Sequence, residues 1–233
     1  MPLPYYVSPE QMMQDKAEYA RKGIAKGKSI IALEHQGGIL IAAENPSASL
    51  NKISEIYDRI AFAGVGKYSE FERLRKEGIR YADLKGYAYG REDVTAKSLA
   101  NAYSQVIGNI FSMEIKPLEV EILVLEVGEG SASNELYRIG FDGSIFEEKG
   151  SATIGGQAEE LKLFLRDKYR DGLSLEESLR LAARGLEAAA SQKVKAASLE
   201  VAVLERERVG RKFRRIPLAE LRDLMEKEGN GPA

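Results

Sequence analysis

The chain has 233 residues, 44% of them hydrophobic and 30% charged, which is ordinary globular material for one domain or at most two. A net charge of −2 and a pI near 5.8 leave no basic field for a phosphate backbone, so nucleic acid is excluded as a partner. The absence of cysteine rules out disulfides and thiolate chemistry. No apolar run reaches a membrane span and the first residues carry no leader pattern, so a soluble cytoplasmic protein with no membrane partner is expected.

Residues 1–8 hold two prolines and two tyrosines without a helical period and are expected to form a mobile tail. Ser8 can then act as N-cap, with Pro9 at N1 and Gln11 at N3 completing a capping box. The helix predicted over 9–26 puts Met13, Ala17, Ala20 and Ile24 on one face, to be covered by a neighbouring element or subunit. Two short apolar strands, 29–33 and 39–43, flank the turn residues His35, Gln36, Gly37 and Gly38, which makes a buried hairpin. Strands are predicted over 52–57 and 60–66, the second small, apolar and ending in glycines.

Two helices follow. The first, over 69–87, turns Phe71, Leu74 and Ala82 inward, with Gly78 a weak point. The second, over 95–113, carries a stripe of Leu99, Tyr103, Val106 and Ile110. Strands return at 120–127, where Glu121 and Glu126 interrupt an apolar run, then at 135–141, 144–147 and 152–156, with Asp142-Gly143 as a tight turn. Helices over 157–169 and 174–191 come next, the latter opened by a Ser174 to Glu177 capping box. Strands at 198–205 and 212–216 close the order, Pro217 starts a last helix with Leu218, Leu221 and Leu224 on one face, and 229–233 is expected to be disordered.

Two strand groups, each followed by a helix pair, predict an α+β fold in which two sheets pack together with helices outside both, a four-layer αββα sandwich. Helices between single strands, which a parallel βαβ fold requires, are missing. Residues 9–228 form one domain in this reading, with 9–26 as its N-terminal extension helix.

The succession of Ser8-Pro9, Glu18-Tyr19-Ala20-Arg21, Gly27-Lys28-Ser29, Gly38-Ile39-Leu40-Ile41-Ala42, Lys52-Ile53 and Ala152-Thr153-Ile154-Gly155 resembles the α-type subunits of the bacterial, actinobacterial proteasome core particle. The likeness extends over about 8–224 and implies the N-terminal-nucleophile hydrolase fold. It also implies a subunit that is not itself a peptidase, because the position from which active relatives attack falls near Lys28 or Ser29 and here follows a helix. In this family α-type chains form a seven-membered ring that stacks on β-type peptidase subunits, with the tails, here Tyr5, Tyr6, Val7, Ser8 and Pro9, gating the pore. A ring-shaped ATPase delivering pupylated proteins docks its C-terminal tails between α subunits. The resemblance assigns the tail carboxylate to Lys52, with Arg21 and Gly66 at other pocket positions, and a carboxylate meeting an ammonium there would form a charge-assisted hydrogen bond. The tail departs from the archaeal and eukaryotic pattern in lacking a tyrosine-aspartate-arginine cluster.

Other chemistry finds little purchase. In active members a lysine at the place of Lys52 assists the nucleophile, so an autoprocessed hydrolase using Ser29 and Lys52 is the alternative; it requires removal of a capped amphipathic helix. His35, the only histidine, reads as a solvent-exposed turn residue and not as a triad member. No metal-ligand spacing occurs, Gly64-Val65-Gly66 and Gly155-Gly156 lack the rest of a nucleotide loop, and the pairs Glu147-Glu148 and Glu159-Glu160 diverge on their elements. No cofactor or metal is expected. The basic run Arg206, Arg208, Arg211, Lys212, Arg214 and Arg215, set against Glu205 and Glu207, reads as a solvated hairpin.

Overall fold

Two strands joined through Gln36 and Gly37, β1 (Ile30–His35) and β2 (Gly38–Glu44), form the middle of one sheet. In the computed structural model, which describes residues 8–47 and 49–226, β1 pairs antiparallel with β8 (Ser151–Ile154) and β2 with β9 (Leu199–Glu205). Strand β10 (Phe213–Arg215) adds to β9, giving the order β10-β9-β2-β1-β8. The second sheet is a meander in the order β3 (Ile53–Tyr57), β4 (Ile60–Gly66), β5 (Val120–Glu126), β6 (Glu135–Ile139) and β7 (Ile145–Glu148), antiparallel throughout.

Strand alternation decides what lies where. Ile30, Ala32, Ile39 and Ile41 meet Ala61, Ala63, Leu123 and Leu125 between the sheets. The opposite face of the first sheet, with Ile31, Leu33 and Leu40, packs under α4 (Ala158–Lys168), α5 (Leu175–Ala190) and α6 (Leu218–Glu226). The opposite face of the second, with Ile60, Phe62 and Ile122, packs under α2 (Tyr68–Ala88) and α3 (Ala96–Met113). Both sheets are therefore covered on both faces, which is why their central strands read as unbroken apolar runs. Each fully buried isoleucine contributes about 1.5–3 kcal/mol. The αββα sandwich expected from the element order is the observed fold. Residues 1–7 of the expected mobile tail and all of 229–233, expected to be disordered, lie outside the described residues, as do 227 and 228.

The extension helix α1 (Pro9–Ala25) lies against β4 and β5 and buries Lys16, Ala20 and Ile24. The expected stripe began at Met13, which is 40% exposed. Its place is taken by Lys16, whose stem is covered while its ammonium donates to the Phe111 carbonyl at 3.1 Å, in the last turn of α3. A charged residue was not counted as apolar surface, yet a lysine stem packs well when its head caps a helix end. Ser8 caps α1 by accepting from the Gln11 amide at 3.1 Å, but Gln11 turns its side chain to Asp15, so the expected box is only half made. The predicted box at Ser174 and Glu177 is complete.

The stripe on α3 also shifts. Leu99 and Tyr103 are buried as expected and Ile107 continues the line, whereas Val106 is 48% exposed on a flank of the helix. Gly78 is no weak point. It lets α2 approach α3 so closely that a Cβ there would overlap the Tyr103 hydroxyl. Gly78→Ala is accordingly expected to destabilise the protein by about 1–3 kcal/mol despite alanine's better helix propensity. Adding Tyr103→Phe should restore part of the loss in denaturant unfolding, because it removes the overlapping oxygen.

The basic run does lie on a solvent-exposed hairpin, β9 to β10, but its guanidiniums are paired and not left to water alone. Arg206 donates to the carbonyls of Gly130 and Ala132 (3.1 and 2.6 Å), Arg211 grips Glu55, Arg214 lies between Glu205 and Glu220, and Arg215 pairs with Glu200. These guanidiniums tie β10 and its turn to the rest of the fold, and side chains far apart in sequence gave no warning of it. His35 is the last residue of β1 and half-buried. Its Nδ1 accepts from the Gly37 amide at 3.1 Å, and burial lowers the imidazole pKa against the opposing pull of Glu205, so it is a strand-end residue and not an exposed turn residue.

Candidate activator-docking site

The head of β1 is where α1 hands over to the sheet. Lys26 closes the helix, the Gly27 amide donates to the Ile24 carbonyl at 2.8 Å, and the Gly27 carbonyl accepts from Gly156 at 3.2 Å. A side chain on Gly27 would run into Val65, and one on Gly155, where φ is +107°, would come within 2.9 Å of the Ser29 Cα. The 27–29 segment is thus clamped between β4 on one side and the end of β8 on the other.

Ser29 is 4% exposed, and its hydroxyl accepts from the Gln157 amide at 3.0 Å. Lys52, immediately before β3, does not reach it. The Lys52 ammonium donates instead to the Lys28 carbonyl at 2.8 Å, inside the covalent link between α1 and β1. Lys28 points its own ammonium at Glu44, 3.2 Å away at the end of β2. The nucleophile-and-lysine pair of the alternative reading is therefore not assembled here.

The lysine is held in place from β9. Glu200 accepts from the amides of Lys52 (2.9 Å) and Ile53 (3.1 Å), from the Asn45 side chain (2.7 Å) and from Arg215 (2.6 Å). With its side chain only 10% exposed, this carboxylate ties three strand ends together. Sequence reasoning missed it, although an acid near the start of the apolar run LEVAVL was a visible signal. Burial pulls the Lys52 pKa down to about 8; Glu200 and Glu44 oppose the shift and Lys28 adds to it.

Gly66 ends β4 next to Lys52's strand, and the Lys52 carbonyl accepts from Gly64 at 3.1 Å. At φ +108° a Cβ on Gly66 would overlap the Glu119 carbonyl, so this position admits only glycine. Lys52 and Gly66 thus share the adjoining ends of β3 and β4. Arg21 is not drawn into that pair: it is exposed on α1 and lays its guanidinium 5.4 Å from the centre of the Phe141 ring, in the β6–β7 turn. Between the two, Tyr19 of α1 donates to Glu119 at 3.2 Å. Of the expected gate residues, Ser8 and Pro9 are the cap and first residue of α1, while Tyr5, Tyr6 and Val7 lie outside the described residues. Among the described residues no cluster of metal-ligating side chains occurs, and no helix is long and apolar enough to cross a membrane.

The proteasome subunit family model matches residues 24–204. A proteasome subunit alpha of Xylanimonas cellulosilytica is 54% identical over 226 residues, covering 93% of this chain and 93% of the relative. The proteasome subunit alpha of Thermobifida fusca is 54% identical over 93% of this chain and 88% of its own length. That of Streptosporangium roseum is 55% identical over 93% and 84%. Likeness at this level over nearly the whole chain, on a two-sheet sandwich with an extension helix before its first strand, means that the chain belongs to the proteasome subunit family, among its actinobacterial α-type members.

Proposed function

We propose that this chain is a non-catalytic α-type subunit that forms the outer, seven-membered ring of a cytoplasmic proteasome core particle. It admits substrates, pupylated proteins among them, to a chamber of β-type peptidase subunits, with residues 5–9 at the gate, and it receives the C-terminal tails of a ring-shaped ATPase. The observation that carries the reading is the clamped 27–29 segment. An N-terminal nucleophile needs a free α-amine beside its hydroxyl, and the amine of Ser29 is spent in a peptide bond to Lys28, whose carbonyl in turn holds the Lys52 ammonium. What remains at that place is a cation beside a side-chain-free strand end, which suits a terminal carboxylate. The hydrolase alternative requires that peptide bond to be cut and the Lys52 ammonium to leave the Lys28 carbonyl.

Assembly and docking are tested separately. Native mass spectrometry of the chain with a β-type partner should find α rings at seven times the 25.7 kDa chain mass; a persistent monomer would refute the assembly reading. For docking, the affinity of an activator-tail peptide should fall as pH rises through about 8, because Lys52 loses the proton that a carboxylate needs. Lys52→Arg, which stays protonated, should flatten that profile between pH 7 and 9. An unchanged slope in the arginine variant would take Lys52 out of the docking role.

A further inference from the structure

We propose that Lys52 is a modification site, acylated by small acyl phosphates ahead of the other lysines of the chain, and that this acylation closes the carboxylate receptor. The first half rests on the burial of Lys52 and on the partners of its amine; the second rests on the docking reading above.

Among the described residues several lysines are held by a carboxylate: Lys22 by Glu18 at 2.7 Å, Lys28 by Glu44, and Lys116 by both Glu70 and Glu119 (2.8 and 3.0 Å). Lys52 is half-buried and, among the described residues, its amine hydrogen-bonds only to a neutral carbonyl. The two carboxylates that face it from β2 and β9 are engaged elsewhere, Glu44 by Lys28 and Glu200 by two amides, Asn45 and Arg215. Lys28 adds a second positive charge on the approach to β1. A desolvated amine with no committed counter-ion and a neighbouring cation sheds its proton early, in keeping with a pKa near 8. Near neutral pH it therefore offers a free lone pair that an ion-paired surface lysine does not.

An anionic electrophile suits this place, since the Lys28 side chain remains 43% exposed and its positive charge can draw in a phosphate group. In the reaction the Lys52 nitrogen attacks the acyl carbon and a C–N bond forms. The C–O bond to phosphate breaks, phosphate leaves with the electron pair, and the surplus proton on nitrogen goes to water. No oxidant or reductant is involved. The product amide keeps an N–H that can still donate to the Lys28 carbonyl, so the fold is preserved while the charge is lost.

The test exposes the full chain briefly to acetyl phosphate across pH 7–10 and reads site occupancy by peptide mass spectrometry. Lys22, paired with Glu18, and Lys212, which also donates to a carbonyl (that of Arg206) but beyond the other end of β3, are the internal references. At pH 8, occupancy at Lys52 should exceed both by roughly tenfold and should level off above pH 9 while the references keep climbing. Labelling of Lys52 no faster than Lys212 would overturn the site. Preferential labelling with tail-peptide affinity unchanged would overturn the closure of the receptor, and with it the docking reading, while leaving the reactive lysine established.

Discussion

Glu200→Ala is expected to destabilise the folded chain by about 3–5 kcal/mol, the scale for removing one partner from a buried charged network. The alanine would leave four donors without their acceptor: the amides of Lys52 and Ile53, the Asn45 side chain and Arg215. Two of these are backbone groups at the start of β3, where no ladder partner replaces the lost bond. Arg215 would retain its bond to the Ile53 carbonyl but lose its counter-charge. Glu200→Gln should cost less, because the amide oxygen can still accept from one or two of the four. Denaturant unfolding of the two variants decides the matter. A loss below about 1 kcal/mol for the alanine variant would mean that water replaces the carboxylate and that the three strand ends are not tied through it.

Lys52→Ala should leave folding and ring assembly intact while activator-stimulated degradation falls by about tenfold or more. The estimate follows from a charge-assisted hydrogen bond to the tail carboxylate worth about 1.5–3 kcal/mol, which is about a ten- to hundredfold change in tail affinity. Stability should move little, because the lost bond to the Lys28 carbonyl is offset by relief from desolvating an ammonium. Peptide hydrolysis without activator is the control and should be unchanged. Undiminished stimulation would exclude Lys52 from docking.

Much of the fold was legible because strand and helix periods differ and the chain obeys both. The runs at Ile30, Ile39, Ile60 and Val120 are apolar on both faces since each sheet lies between another sheet and a helix layer. Errors came where long-range pairing overrode a local rule. Lys16 entered the buried face of α1 because the Phe111 carbonyl satisfies its charge, and Gly78 was misjudged because Tyr103, on another helix, fills the space its side chain would need. The arginines around β10 lie on an exposed hairpin as expected, but their partners sit on distant elements, among them Glu55 and the carbonyls of Gly130 and Ala132.

The site was legible in part. Lys52 and Gly66 were named from the family resemblance, and they do lie at adjoining strand ends, but Arg21 turns to Phe141, which no spacing in the sequence foretells. Glu200 was missed although it positions the Lys52 backbone, because its role depends on β9 returning beside β2 after more than 150 residues of chain. Buried carboxylates in apolar runs, such as Glu121 and Glu126, which are held by Arg138 and Arg59 respectively, share that signature.

The central claim is that the peptide link from α1 into β1 stays intact in the working particle, so that Ser29 never gains an α-amine. Intact-mass analysis of this chain recovered from a degradation-competent complex tests it most directly. The account predicts about 25.7 kDa, within the mass of an initiator methionine, and no adduct at Ser29 after treatment with an inhibitor of N-terminal nucleophiles. A mature chain beginning at Lys28 or Ser29 and carrying that inhibitor would contradict it.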